Sequence, residues 1–363
     1  MTSTSGAPAS NDQAMTDLPP APLALHLDSD ALKANWLWLA GKSGAAACGA
    51  AIKANAYGLG AVAVLEHLKA AGCRDFFVAT WAEAAEVMPH LDGAALSVLH
   101  GVREEDMAFA LGSPARPVLN SPEQIARWKA AGGGPCDVML DTGMNRLGLD
   151  ANDVKLGLFE GLEVETCMSH LACADEPDHQ LNMVQPMILR QMSRRVGARR
   201  LSLANSAGIL AGEDFAFDLT RPGLSLYGGI QHPDGTGHIR QVVTPRAQIL
   251  QRRVVRGGES VGYGATYVAD RQREAAVINI GYADGYYRCF SGMGAAKIGD
   301  LLLPIMGRVS MDLITIDVDA APELREGDWV DMDFDLPMNA AFSGMSQYEL
   351  LTGLGRRFAR IWG

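Results

Sequence analysis

The sequence lacks the features that tie a chain to a membrane or a nucleic acid. No apolar run approaches the roughly 18 residues that a membrane-spanning helix needs. Cationic residues are the minority. Against 42 Asp and Glu there are 31 Lys and Arg, which leaves a formal net charge of −11. A field of that sign does not gather nucleic acid or anionic lipid, so neither a nucleic-acid nor a membrane partner is expected. Aromatic residues are sparse, at 7%. The six cysteines (Cys48, Cys73, Cys136, Cys167, Cys173 and Cys289) form no C-x-x-C pair. That removes the usual zinc and disulfide frameworks, and no metal site is expected. Most of these thiols lie in apolar stretches, where cysteine packs as a small hydrophobe, and reduced core thiols suit a cytoplasmic protein. Residues 1–22 are rich in Ser, Thr, Pro and Ala. They have neither the basic start nor the apolar stretch of a secretory leader, and they read as a disordered extension.

What the sequence does have is length, small residues and a regular alternation. Its 363 residues suggest about two domains at ~150 residues each. Glycine is abundant, 40 residues or about 11% against a usual ~7%. Between residues 23 and 240, short β-branched or small-residue runs alternate with Ala-rich helical stretches. Eight such runs are visible: 47–53, 76–80, 96–100, 116–120, 137–141, 165–170, 201–206 and 218–222. Their nearly continuous apolar character suits a parallel sheet covered on both faces. Eight β-then-α units predict a (β/α)8 TIM barrel, with an open doubly wound sheet as the competing fold. Lys53, Thr80, His100, Asn120, Asp141, His170, Ser206 and Arg221 close these runs. In a barrel they all face the mouth where such folds keep their chemistry. Thr80 and Asn120 read simply as polar residues capping strands. From residue 241 to 363 the pattern changes to alternating strands with Gly turns, which predicts a second, mainly β domain. The final Q-Y-E-L-L-T-G-L-G-R-R-F-A-R-I-W stretch has Leu at helical spacing and reads as a short closing helix.

Lys53 ends the first buried run. Burial there would lower the ammonium pKa and leave a fraction as neutral amine, the form that attacks carbonyls. Position alone does not establish this, because most lysines are exposed.

The surrounding string, K-A-N-A-Y-G-L-G (53–60), closely resembles the cofactor-lysine motif of the alanine racemase family, the barrel class of pyridoxal-phosphate enzymes. Seven more strings match that family in order: D-T-G-M-N-R-L-G (141–148), S-H-L-A-C-A-D (169–175), A-N-S-A-G (204–208), R-P-G-L-S-L-Y-G (221–228), V-G-Y-G-A-T-Y (261–267), G-Y-A-D-G-Y (281–286) and G-R-V-S-M-D (307–312). They cover both halves of the chain. The resemblance implies a barrel followed by a β domain, a head-to-tail homodimer, pyridoxal 5'-phosphate as cofactor, and interconversion of L- and D-alanine. The product would supply peptidoglycan precursors or, in reverse, be degraded. A broad-specificity racemase, for example one acting on serine, is the alternative.

Carried over by motif position, Lys53 resembles the lysine that holds the cofactor and acts as base on one face of the substrate. Tyr263 resembles the tyrosine that acts from the other face, contributed by the partner chain. Racemisation removes a Cα proton from one face and returns one to the other, which suits two bases. Arg221 matches the arginine opposite the cofactor's ring nitrogen, and His170 the histidine beside the ring. Ser206, Gly223, Leu224 and Tyr57 match the phosphate-binding positions, with Asn205 nearby. Arg146 matches the arginine on the substrate carboxylate, Met311 the position whose backbone meets that carboxylate, and Tyr282 a tyrosine bounding substrate size. Asp312 is expected to organise the Met311 loop. Two positions depart from the pattern. Many members carry a carbamylated lysine seven residues before the arginine, where this chain has Met139. Many also place a tyrosine beside the catalytic phenol, and an ungapped match puts Arg356 there.

Overall fold

A computed structural model describes residues 19–363, so most of the extension expected at 1–22 lies outside the described residues. The first unit is a ring of short parallel strands: Ala47–Cys48, Ala50–Ala51, Asp75–Val78, Ala95–Val98, Arg116–Leu119, Cys136–Met139, Val164–Met168, Arg200–Ser202 and Leu219–Thr220. The first two segments are halves of one strand interrupted at Gly49. One half pairs with Leu219–Thr220 and the other with Asp75–Val78, and this closes the ring. Gly49 permits the closure: a Cβ there would lie 2.7 Å from the Asp75 carbonyl and 2.9 Å from the Phe77 ring. The eightfold βα barrel predicted from the alternation is the fold observed, and the open sheet is not.

Inside the ring, Ala51, Phe77, Val118, Met139, Met168 and Leu219 pack as a small apolar plug. Toward the N-terminal ends of the strands lies a buried polar layer. The Asp137 carboxylate accepts from Ser97 Oγ at 2.6 Å, Thr166 N at 2.9 Å and Arg116 Nε at 3.4 Å, and Arg200 is bound to Asp75 at 2.6 Å. A buried carboxylate is tolerated there because donors surround it. That floor leaves the opposite mouth for ligands.

The second unit is a sheet in the order Leu301–Pro304, Ala295–Ile298, Trp329–Met332, Val243–Val255, Leu23–Leu27, Ala359–Trp362. Arg273–Ile278 and Ile314–Asp317 extend it from the far part of the long strand. Two sequence expectations differ here. Residues 23–27, counted with the barrel in the 23–240 assignment, form the strand Leu23–Leu27 of this sheet, antiparallel to Val243–Val255 and parallel to Ala359–Trp362. The closing stretch is helical only over Gln347–Thr352 and then becomes the strand Ala359–Trp362. The first and last strands among the described residues are thus neighbours, and helix Ser29–Lys42 leads from the first to the barrel. None of the six cysteines is paired, and Cys48, Cys73, Cys136 and Cys167 are buried. Among the described residues no helix is long and apolar enough to cross a membrane.

Candidate active site

The C-terminal ends of the barrel strands enclose a cavity of about 450 Å3. Its wall includes Lys53, Tyr57, His100, Asp141, Arg146, His170, Asn205, Ser206, Arg221 and Gly223. Of the residues predicted at the barrel mouth, Thr80, Asn120 and Leu224 are not on this wall, and the others converge on it. Leu224 is buried behind Gly223 and does not reach the wall. Thr80 and Asn120 do cap and brace: Thr80 starts the helix Trp81–Val87, and Asn120 Nδ2 donates to the carbonyls of Val118 and Leu99 at 2.7 and 3.0 Å.

Lys53 enters the cavity from an unusual piece of backbone. Residues 54–57, none of them glycine, hold φ values of 53°, 54°, 50° and 56°. L-residues in this left-handed region cost roughly 1–2 kcal/mol each, so the turn persists only because its surroundings over-determine it. Asn55 Oδ1 accepts from Ala61 N at 2.8 Å, and Arg360 donates twice to the Gly58 carbonyl, at 2.6 and 3.0 Å. Glu83 accepts from Ala54 N at 2.7 Å. Burial lowers the Lys53 ammonium pKa, and the Arg146 guanidinium lowers it further.

Beside it, Ser206 Oγ accepts from Gly223 N at 2.9 Å and Ser225 N at 3.2 Å. Asn205 caps the short helix Ser206–Leu210 through Gly208 N at 2.9 Å. A Cβ on Gly223 would overlap the Tyr57 hydroxyl. Tyr57 is held by Tyr227, at 4.7 Å between ring centroids, and Tyr227 is anchored by its hydroxyl to the Ala51 carbonyl at 2.8 Å. A hydroxyl, backbone N–H groups and a phenol thus surround a point that only a glycine leaves open, a donor set suited to a phosphate. Arg221 is buried, donating to Ser202 Oγ and to the Ser169 carbonyl, the latter at 2.5 Å. It has no carboxylate partner among the described residues, and burial brings its pKa down to about 10. Burial, then Arg221, Arg146 and Lys53, push His170 down to about 3, so it is a neutral imidazole at any working pH.

Arg146 stands exposed on the rim. Its loop is gathered by Asp141 Oδ1, which accepts from Gly143, Met144 and Asn145 N at 2.8, 3.0 and 3.1 Å. Met139 is buried in the barrel plug, next to Gly148 at the end of that loop.

Tyr263, Met311 and Tyr282 lie elsewhere, in the second unit. Tyr263 tops the two-stranded ribbon Ser260–Val261 with Tyr267–Val268 and is 66% exposed, and Met311 is 53% exposed. The two neighbourhoods are joined through Gly262 and Gly264, which pack on Arg308, and through the 281–286 turn. In that turn Tyr282 N and Ala283 N donate to the Ser310 and Met311 carbonyls, both at 3.0 Å. Arg357 locks the assembly, binding Asp284 at 2.7 and 2.8 Å and Asp312 at 2.7 Å. Tyr282 is half-buried beneath Arg288. Sequence reasoning missed Tyr348. It lines the cavity from helix Gln347–Thr352, lies 5.9 Å from the Tyr57 ring, and its hydroxyl donates to Gln231 Oε1 at 2.9 Å. A tyrosine among helical leucines gives no sequence signal beyond core packing. Arg356 is exposed and off the cavity wall.

A lysine of depressed pKa at a barrel mouth, an anion cradle and a buried arginine without an acid partner define the barrel class of pyridoxal-phosphate enzymes. The comparisons are specific. Residues 27–231 match the family description "alanine racemase, N-terminal domain" and residues 242–362 match "alanine racemase, C-terminal domain". The catabolic alanine racemase of Agrobacterium fabrum is 41% identical, over 93% of this chain and 91% of that protein. The alanine racemase of Rhodospirillum rubrum is 41% identical over 93% of this chain and 95% of that one. The crystal structure of the Bartonella henselae alanine racemase with covalently bound pyridoxal phosphate superposes with a TM-score of 0.87 at 34% identity, covering 95% of this chain and all of that one. The biosynthetic enzyme of Pseudomonas aeruginosa gives 0.84 at 33% identity, with coverage of 95% and 100%. The chain belongs to the alanine racemase family, pyridoxal-phosphate-dependent isomerases.

Proposed function

We propose that the protein interconverts L- and D-alanine with two bases, Lys53 of one chain and Tyr263 of a second copy. The observation that carries this is the separation of the pair. Lys53 lines the cavity, while Tyr263 is 66% exposed on the other unit beside Met311. A site that needs both is completed by a homodimer. The matched relatives are named alanine racemases, so the broad-specificity alternative is not favoured.

Pyridoxal phosphate, when bound, supplies the electron sink that makes an amino acid's Cα proton removable. Lys53 would hold its aldehyde carbon. Ser206, the Gly223 and Leu224 backbone and the Tyr57 hydroxyl would hold its phosphate, with Asn205 shaping that turn. Arg221 would face the ring nitrogen, with His170 beside the ring. With a pKa near 10, Arg221 keeps its proton at neutral pH, unlike the carboxylic acid that would protonate a ring nitrogen. Beside an arginine rather than an acid, the cofactor would supply a weaker electron sink, which would favour quick return of a proton to Cα. Lys53 takes or gives that proton on one face, and Tyr263 serves the other. Arg146 and the Met311 backbone hold the substrate carboxylate, and Tyr282 and Tyr348 limit its side chain. Met139 offers Arg146 no negative charge, so a solvent anion or a neutral group would have to serve Arg146 in place of the carbamylated lysine that the family resemblance implies.

The gap between the two family matches, from residue 231 to 242, supports the boundary expected at 240/241, with Leu23–Leu27 belonging to the second unit and the barrel unit starting after it. Six unpaired cysteines support a cytoplasmic setting. D-alanine would feed peptidoglycan synthesis or, in the reverse direction, be consumed. The test is chiral chromatography of the purified holoenzyme with L-alanine, L-serine and other L-amino acids in heavy water. D-alanine far ahead of the rest, with deuterium at Cα, is expected. Comparable D-isomers of several amino acids, or release of carbon dioxide without a D-isomer, would overturn the reading.

A further inference from the structure

Glu83 holds a place that neither the motifs nor the family comparisons address. It lies three residues into the helix Trp81–Val87, whose N-cap is Thr80, and there it completes a capping box. Such a box needs one carboxylate oxygen on the N-cap N–H. Here Oε2 does that work, accepting from Thr80 N at 3.2 Å and Ala79 N at 2.7 Å. Oε1 reaches across to the turn that follows the first barrel strand and accepts from Ala54 N at 2.7 Å. Ala54 follows Lys53 and begins the left-handed turn. The carboxylate therefore ties the backbone carrying Lys53 to the end of the second strand. All the hydrogen bonds its carboxylate accepts come from backbone N–H groups, and among the described residues it forms no ion pair with an Arg or Lys.

We propose that Glu83 is a positioning residue for Lys53, clamping the strained turn from which the lysine projects and balancing the guanidinium groups that face it. This rests on the reading of Lys53 as one of two bases. Burial and Arg146 lower the Lys53 pKa, Glu83 raises it, and Arg221 lowers it again. The other titratable groups on the cavity wall are Tyr57, His100, Asp141, His170 and Tyr348. His170 stays neutral, and Asp141 is occupied by its own loop. Glu83 is the carboxylate in the balance.

Two holoenzyme variants separate charge from geometry: Glu83→Gln keeps length and loses charge, and Glu83→Asp keeps charge and loses reach. The readouts are pH profiles of kcat in both directions and hydrogen–deuterium exchange of the peptide covering residues 50–60. Without the carboxylate charge the Lys53 amine binds its proton less tightly. Where Lys53 is the base it must be neutral, so the acid limb moves to lower pH. Where it is the acid it must be protonated, so the alkaline limb of the opposite direction moves the same way. For Glu83→Gln we expect both limbs to fall by about one pH unit, kcat to fall about tenfold or more, and the peptide to exchange faster. For Glu83→Asp we expect limbs in place with faster exchange, and this variant decides the clamp should the first not fold. Unmoved limbs in Glu83→Gln, or unchanged exchange in Glu83→Asp, would reduce Glu83 to an ordinary helix cap. The wild type tests the underlying reading separately. Two bases release a substrate α-deuteron to water, whereas one base would carry it into the product.

Discussion

Lys53 and Tyr263 sit on unlike architecture. Lys53 projects from a strained turn inside a closed barrel, with Arg146, Arg221, His170 and Glu83 around it. Tyr263 stands on a two-stranded ribbon of the second unit, 66% exposed, and its support comes from behind, through Arg308 and the loop locked by Arg357, Asp284 and Asp312. The barrel finishes its half of the site within one chain. The ribbon leaves its phenol exposed, where the proposed two-chain site would need it. A group that must be desolvated and tuned belongs at the bottom of a packed barrel, whereas a group that must meet the other face of a substrate can arrive on a second surface.

The sharpest way to break that comparison is to disable one region per chain. Lys53→Ala and Tyr263→Phe should each lower activity by roughly 10²–10⁴-fold or more. Mixing the two inactive proteins should then restore one working site in each heterodimer, read by coupled D-alanine detection. No recovery after verified subunit exchange would place both bases on one chain. A smaller effect is expected from Gly223→Ala, because its Cβ would overlap the Tyr57 hydroxyl. Forced overpacking of about 1–3 kcal/mol should weaken cofactor binding by about tenfold or more, followed by absorbance titration. Unchanged affinity would remove Gly223 and Tyr57 from the cradle.

The smallest effect concerns stability. His170 titrates near 6.5 when unfolded and about 3 in the fold. The unfolded chain therefore binds the extra proton first as pH falls. The stability this neutral imidazole supports is present above about 6.5 and lost as pH drops toward 3. Thermal melting of His170→Gln should show a flatter acid decline over that window, while Tyr263→Phe, altering an exposed side chain, should melt as the wild type does.

The barrel mouth was legible because a βα alternation ranks strand ends in order, and Lys53, His170, Ser206 and Arg221 each terminate a run. Tyr348 was not legible, since it arrives from a helix near the other end of the chain and meets Tyr57 only through the docking of the two units. Glu83 was not singled out in the sequence, where Thr80 was read only as a strand cap. The T-W-A-E string announces a capping box, but the bond to Ala54 spans 29 residues. The ungapped match at Arg356 pointed to a surface residue because motif order carries no information about which side of a turn faces a cavity.

The sequence by itself determined the alternation that makes a closed parallel barrel, the switch to a β texture near residue 241, and the order of the cofactor motifs. Each of these is encoded locally, in hydrophobic periodicity and in short strings around a strand end. Only the tertiary structure decided that Leu23–Leu27 joins the terminal sheet, that Gly49 splits a strand to close the ring, that residues 54–57 turn left-handed, and that Tyr263 is exposed and off its own chain's cavity wall. Those outcomes depend on which backbone groups find partners far along the chain, and a linear pattern does not specify such partners.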